Sequence, residues 1–197
     1  MSKPSRAPRR PGKPADTIAA GTLVFLRLPR LEDRAEMLRV RRGSRAFLEP
    51  WEATPERGPS PWGPGWFDRF LASSATDASL RMLICAADDG RIVGQIGLGG
   101  IVRGAFQSAF LGYWIAEPET RRGYARQAIT LAISHAFGTM GLHRVEANII
   151  PRNKPSKLLV KRIGFRYEGL ARRYLRINHV WEDHEHWAIT REEWGTP

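Results

Sequence analysis

The chain has 197 residues, with 31 Lys and Arg against 20 Asp and Glu, a formal charge of +11, 42% hydrophobic residues and 7 Trp. This fits one globular domain and excludes a collagen, a coiled coil or a wholly disordered chain. No stretch of ~18 apolar residues offers a membrane helix, the basic N-terminus lacks the apolar run of a secretory signal, and a single cysteine excludes an internal disulfide.

Residues 1–16 combine Lys3, Arg6, Arg9, Arg10 and Lys13 with Pro4, Pro8, Pro11 and Pro14. Such a segment buries too little apolar surface to offset its ordering entropy, so a disordered basic tail is expected, with the domain over residues 20–194. Residues 22–28 read as a first strand. Residues 31–42 read as a helix, with Leu31, Ala35 and Leu38 at helical spacing and a stop at Gly43. Residues 44–65 read as an ordered loop, because a linker has no use for Trp51 and Trp62. A short helix over residues 66–73 follows.

Residues 80–87 and 92–98 read as strands joined at Asp88-Asp89-Gly90-Arg91, a hairpin signal. Residues 108–116 form a third, aromatic-rich strand. From Ala125 the pattern changes. Ala125, Ala128, Ile129, Ala132, Ile133, Ala136, Phe137 and Met140 line one face of an amphipathic helix. A strand at 144–150, a helix at 153–163 and two strands at 165–177 and 181–189, turning at Asn178-His179, complete a mixed α/β order. Cys85 lies in an apolar run and is expected to be a core residue rather than a nucleophile.

Glu117 to Ala125 join a strand to a helix N-terminus. Amides at such an end carry partial positive charge and lack intrahelical partners. Gly123 and Ala125 leave the backbone open to an anion, and Arg121 and Arg122 add charge. The expectation is a phosphate or pyrophosphate site. Neither G-x-x-x-x-G-K nor G-x-G-x-x-G occurs, which disfavours NTP hydrolysis and dinucleotide redox chemistry.

The runs L-G-Y-W-I-A (111–116), R-R-G-Y-A-R-Q-A (121–128), G-L-H-R-V-E-A-N (141–148), P-R-N-K-P-S-K-L-L (151–159), G-F-R-Y-E-G (164–169) and Y-L-R-I-N-H-V-W-E-D-H (174–184) resemble the GNAT acyltransferase superfamily. More closely they resemble its ribosomal-protein-alanine N-acetyltransferase branch. The resemblance covers about residues 20–194. It implies a central, mostly antiparallel sheet of about six to seven strands, splayed between the fourth and fifth, with about four flanking helices. It implies acetyl-CoA as cosubstrate, with pantetheine along Trp114, Ile115 and Ala116 and pyrophosphate on Arg121, Arg122, Gly123, Tyr124 and Ala125. Asn153 and Ser156 match the N-x-x-S that faces the pantetheine. Thr120 stands where the family carries Gln or Arg.

Acetyl transfer needs a neutral amine. An α-amine with pKa ~7.7–8.0 is about a tenth neutral at pH 7, whereas lysine at ~10.4 is almost wholly charged. A single base then suffices, typically worth ~10²–10⁴-fold. Glu146 is the first candidate, Tyr113 and Glu117 weaker ones, and Ser156 can give a proton or hydrogen bond to the leaving thiolate. His184 and His186 alternate on one strand without a third ligand, so no metal site is expected there, and a structural or surface role is. His135 and His143 read as surface or capping groups. The loop with Trp51, Trp62 and Trp66 is expected to cover the acceptor side. Expected partners are acetyl-CoA and a protein N-terminus or small amine. Ribosome association through the tail, a monomer or homodimer, no membrane and a cytoplasmic location are also expected. The alternatives are acetylation of a small amine or antibiotic, a nucleic-acid or ribosome-binding module exploiting the positive charge, and a non-catalytic acyl-CoA sensor.

Overall fold

The computed structural model describes residues 16–54, 60–63 and 65–195; residues 1–15, which hold all but the last residue of the expected tail, lie outside them. The strands are β1 (Thr17–Ala20), β2 (Val24–Arg27), β3 (Ala75–Thr76), β4 (Ser79–Ala86), β5 (Ile92–Val102), β6 (Ser108–Ile115), β7 (Arg144–Ile149), β8 (Arg166–Ile177) and β9 (Val180–Thr190). The helices are α1 (Arg34–Gly43), α2 (Arg45–Leu48), α3 (Trp66–Ala72), α4 (Tyr124–Gly138), α5 (Lys154–Ile163) and α6 (Arg191–Trp194). The strands form one sheet in the order β1-β2-β4-β5-β6-β7-β9-β8, with β3 on β4.

The sheet exceeds the expected strand number by two short strands. β1, of sequence TIAA, carries little strand pattern and exists by pairing with β2. β3 has two residues and pairs only with the start of β4. The segment expected as one unbroken loop contains α2 and a 3-10 turn, Glu49–Trp51.

Two cores sandwich the sheet. In β4, Met82 and Ile84 join the core under α4, while Leu83 and Cys85 join Met37, Phe67 and Phe70 under α1 and α3. The apolar run of β4 is continuous because both faces are covered. In α4 the residues at helical spacing (Ala128, Ile129, Ala132, Ile133, Ala136 and Phe137) are all buried. Gln127 fixes the first turns of this helix to the β1–β2 hairpin, its Oε1 accepting from the amides of Leu23 at 2.6 Å and Val24 at 2.8 Å.

The feature that makes a site lies between β6 and β7. All other strand pairs are antiparallel; this one is parallel and lasts three rungs, Ser108 with Arg144, Ala109 with Val145 and Phe110 with Glu146. Beyond Phe110, β6 stays on β5 as far as Ile115 opposite Gly94, and β7 stays on β9 as far as Ile149 opposite Glu185. The two strands diverge, and a wedge opens between them. At the far end of the β8–β9 hairpin, Asn178 and His179 both have positive φ, 42° and 70°, as a two-residue primed turn requires.

Candidate active site

The wedge carries an exposed backbone edge. The amide of Ala116 donates to the Val93 carbonyl at 2.8 Å. An antiparallel ladder alternates in direction, so Ile115 and Tyr113 turn their peptide groups toward the wedge, while those of Trp114 and Ala116 turn toward β5. Ala116 therefore does not offer its amide to a ligand there. Tyr113, Trp114 and Ile115 all line the wedge.

At the mouth of the wedge, the amides of Arg121 to Ala125 make no backbone hydrogen bond among the described residues. They open the N-terminus of the 15-residue α4. Gly123 caps it with φ +81°, and a Cβ there would sit 3.2 Å from Leu23 Cδ1. Glycine suits both the left-handed backbone and the close approach. Arg121, Arg122 and Arg126 are exposed around these amides. Arg122 is shared with Glu119 at 3.3 Å, which Arg91 also holds at 3.1 Å. Arg121 makes no ion pair among the described residues. Tyr124 Oη accepts from Arg91 at 3.4 Å. Thr120, the departure from the family pattern, lines the cleft and donates its hydroxyl to the Glu117 carbonyl at 2.9 Å. Glu117 itself is exposed, its amide held by buried Ser44 at 3.0 Å.

Two cavities meet in the wedge. One, of about 270 Å³, runs from Thr120 and Ala125 along Trp114 and Ile115 to Leu159. The other, of about 290 Å³, lies under Phe110, Leu111, Asn148, Leu175, Ile177 and His184. Trp51, Tyr113, Asn153 and Ser156 line both. Asn153 caps α5, its Oδ1 accepting from the Ser156 amide at 3.2 Å. Ser156 Oγ then lies 2.8 Å from Tyr113 Oη. Burial pushes the Tyr113 phenol above its usual value, so it stays protonated at neutral pH.

Glu146 is placed differently from the expectation for a base. It occupies the last closed rung, its carboxylate accepts from Arg144 Nε at 3.0 Å, and it lines neither cavity. Of Trp51, Trp62 and Trp66, Trp51 lines both cavities and the other two line neither. Trp62 and Trp66 enclose the Arg41 guanidinium, at 4.4 and 4.2 Å from their ring centres. Ala53 pairs with Ile177, and Asn178 donates to the Glu52 carbonyl at 2.9 Å. These bonds tie residues 51–54 to the tip of β8–β9 as a roof over the second cavity.

His184 takes the structural rather than the surface place of the two expected for it, and takes it at the cleft. It is buried, at 2% exposure, and lines the second cavity. Its Nδ1 lies 3.0 Å from the Glu182 carbonyl oxygen, which can only accept, so Nδ1 carries the proton. Burial lowers its basicity below the ordinary imidazole value. The only forewarning was strand alternation, which sets His184 and His186 on one face with Asn148 of β7 opposite. Among the described residues no group of three His, Cys, Asp or Glu could hold a metal, and no helix is long and apolar enough to cross a membrane.

A cleft with an open strand edge for an extended arm, an amide-rich helix end for its anionic terminus and a second cavity behind is built for an acyl-CoA and an acceptor. Residues 24–166 match the acetyltransferase (GNAT) domain family. The chain is 33% identical over 156 residues to the ribosomal protein uS5-alanine N-acetyltransferase of Escherichia coli, covering 77% of this chain and 79% of that one. It is 42% identical over 113 residues to the probable N-acetyltransferase YjcK of Bacillus subtilis, 57% of this chain and 62% of YjcK. Among solved structures, Mycobacterium smegmatis RimJ in complex with CoA-disulfide superposes with a TM-score of 0.79 at 35% identity, covering 88% of this chain and 84% of that one. The ribosomal-protein-S5-alanine acetyltransferase of Vibrio fischeri gives 0.77 at 27%, covering 90% and 98%. The chain belongs to the GNAT acetyltransferase family. It is an N-acetyltransferase that uses acetyl-CoA.

Proposed function

We propose that the protein acetylates the N-terminal α-amine of a protein, beginning with a small residue such as alanine or serine and of the ribosomal-protein class, by direct attack in a ternary complex. The observation that carries this reading is the lining of the second cavity: Trp51, Phe110, Leu175, Ile177 and other apolar groups, with Asn148, Ser156 and His184, and no carboxylate among the described residues. A polyamine or aminoglycoside needs acidic partners for its several charges. A single α-amine with a small side chain needs none. The names of the uS5- and S5-alanine acetyltransferases agree with this reading. A spermidine N-acetyltransferase from Vibrio cholerae, 20% identical, supports the fold alone.

In this reading the Arg121–Ala125 amides bind the pyrophosphate and the Ile115 peptide edge aligns the pantetheine. A backbone N–H at the splay, near Ile115, stabilises charge growing on the thioester oxygen. Ser156, hydrogen-bonded to Tyr113, protonates or hydrogen-bonds the departing thiolate. No acyl-enzyme forms.

The test is CoA release from acetyl-CoA with three acceptors: a lysine-free peptide with a free N-terminal alanine, an N-blocked peptide with one lysine, and spermidine. Turnover with the first alone is expected. Turnover with spermidine or the lysine peptide instead would overturn the reading.

A further inference from the structure

The second cavity is lined by two polar side chains that the fold satisfies only in part. Asn148 donates its Nδ2 to Tyr174 Oη at 3.3 Å, while its Oδ1 is buried without a hydrogen-bond partner among the described residues. His184 has spent Nδ1 on the Glu182 carbonyl, which leaves Nε2 to face the cavity; two residues on, His186 Nε2 is buried without a hydrogen-bond partner among the described residues. Both residues line the cavity that also holds Ser156 and Tyr113. An unpaired buried carbonyl oxygen is costly and calls for a donor. A fixed Nδ1–H tautomer leaves Nε2 with a lone pair, ready to accept a proton.

We propose that these two atoms form the amine subsite: Asn148 Oδ1 accepts a hydrogen bond from the incoming amine, and His184 Nε2 takes its proton, directly or through one water. This assignment rests on the amine-acetylation reading above. The α-amine arrives mainly as ammonium. One proton passes to His184 Nε2 and on to solvent. The freed nitrogen lone pair forms the C–N bond at the thioester carbon. The C–S bond then breaks with its electron pair on sulfur, and the second N–H proton leaves as the amide forms, neutralising the thiolate through Ser156 and Tyr113. Glu146, bound to Arg144, has no part in this route.

The surroundings favour a neutral imidazole. Tyr174 of β8 packs its ring 5.6 Å from that of His184 and 4.7 Å from that of His186. His186 follows on the same strand face and repels a second positive charge. The acids nearby are otherwise engaged: Glu182 with Arg152 at 2.7 Å, Asp183 with the Arg173 amide at 2.8 Å. From β6 the titratable neighbour in the cavity is Tyr113, and from the roof Glu52, held by Arg41 at 2.9 Å. Because burial is the leading cause, the imidazole titrates below its ordinary value and is unprotonated at pH 7.

The test compares kcat against pH for the full chain and for His184→Gln, which keeps a polar side chain but cannot titrate, using the N-terminal alanine peptide. Wild type should show an acid limb below pH ~6.5. In H184Q the limb should vanish and kcat fall by about 10²–10⁴-fold, with the KM for acetyl-CoA unchanged. Asn148→Ala should raise the peptide KM about tenfold. Thermal melting checks that both variants fold. Independently, ¹⁵N NMR of the wild-type imidazoles should show the Nδ1–H tautomer of His184 and a resonance that shifts when the peptide binds. A limb that survives in H184Q, a limb that disappears in Glu146→Gln instead, or a His184 protonated at Nε2 would overturn the assignment. A wild type that turns over no α-amine peptide brings down the functional reading and this assignment with it.

Discussion

Tyr113 Oη and Ser156 Oγ stand 2.8 Å apart across the open wedge, joining the free edge of β6 to the first turn of α5. The pair sits where the two cavities meet, so one hydroxyl can face a leaving sulfur while the other holds it in place. Ser156→Ala should lower kcat by about 10²-fold, the lower end of what a positioned acid supplies, because a thiolate leaves tolerably without help. Tyr113→Phe should cost less, since Ser156 keeps its hydroxyl and its amide stays capped by Asn153. Steady-state kinetics with acetyl-CoA and peptide both varied checks the order. A larger loss in Tyr113→Phe than in Ser156→Ala would mean that the phenol, not the serine, faces the sulfur.

The anion site should respond to salt. Arg121 is exposed and makes no ion pair among the described residues, so its contribution is that of a screened surface contact. Arg121→Ala should raise the KM for acetyl-CoA up to about fivefold, equivalent to at most ~1 kcal/mol. Raising the ionic strength should weaken the wild type more than the variant. Gly123→Ala should do worse, because its φ of +81° disfavours a Cβ that also lies 3.2 Å from Leu23.

These two sites show what the chain discloses in one dimension. The α4 stripe and the Arg121–Ala125 turn are local patterns, and local periodicity and turn chemistry reported them within a residue or two. Asn153 and Ser156 were visible as a helix start. The amine subsite was not, because it is assembled from β7 and β9, whose neighbours are set by register. Glu146 looks like a cleft carboxylate because its apolar neighbours suggest burial; strand alternation sets it on the same face as Arg144, two residues away, from which it accepts a hydrogen bond instead. Trp62 and Trp66 looked like cleft walls, and nothing local announces that a buried arginine lies between them.

Cys85 tests the absence of an acyl-enzyme. Burial pushes its thiol up to about 12, so at pH 8 it is protonated as well as inaccessible. A thiol-reactive dye should leave the native protein unlabelled and titrate one thiol per chain in denaturant. Cys85→Ala should retain turnover. Labelling of native protein in step with loss of activity would contradict this.

On the acid side, Glu168 should contribute to stability. The hydrogen-bonded Arg144 guanidinium holds its carboxylate below the usual range, so its folded value lies under the unfolded one of about 4.3. Its contribution is complete above that unfolded value and is lost as pH falls through the folded one. The pair is partly exposed, so the effect is well under ~1 kcal/mol and fades with salt. Melting of Glu168→Gln and wild type should differ at pH 7 and converge near pH 2. A difference that persists at pH 2 would assign the effect to packing.

Arg41 is the strut of the roof, and its loss should be felt twice. The side chain is 4% exposed, pairs with Glu52 at 2.9 Å and is stacked between Trp62 and Trp66. Arg41→Met keeps much of the volume but leaves the Glu52 carboxylate, itself mostly buried, without its partner. Breaking a buried pair from one side costs about 3–5 kcal/mol; the part-exposure of Glu52 lowers this to about 2–3 kcal/mol. For a chain of this size that is a fall in Tm of about 4–12 °C. Glu52 adjoins Trp51 and accepts the Asn178 amide through its carbonyl, so the roof loosens over the acceptor cavity. The KM for the peptide should therefore rise more than that for acetyl-CoA. Pairing the change with Glu52→Gln removes the stranded charge. Most of the lost stability should return, whereas a double variant no more stable than R41M would show that the tryptophan stacking, not the ion pair, holds the roof.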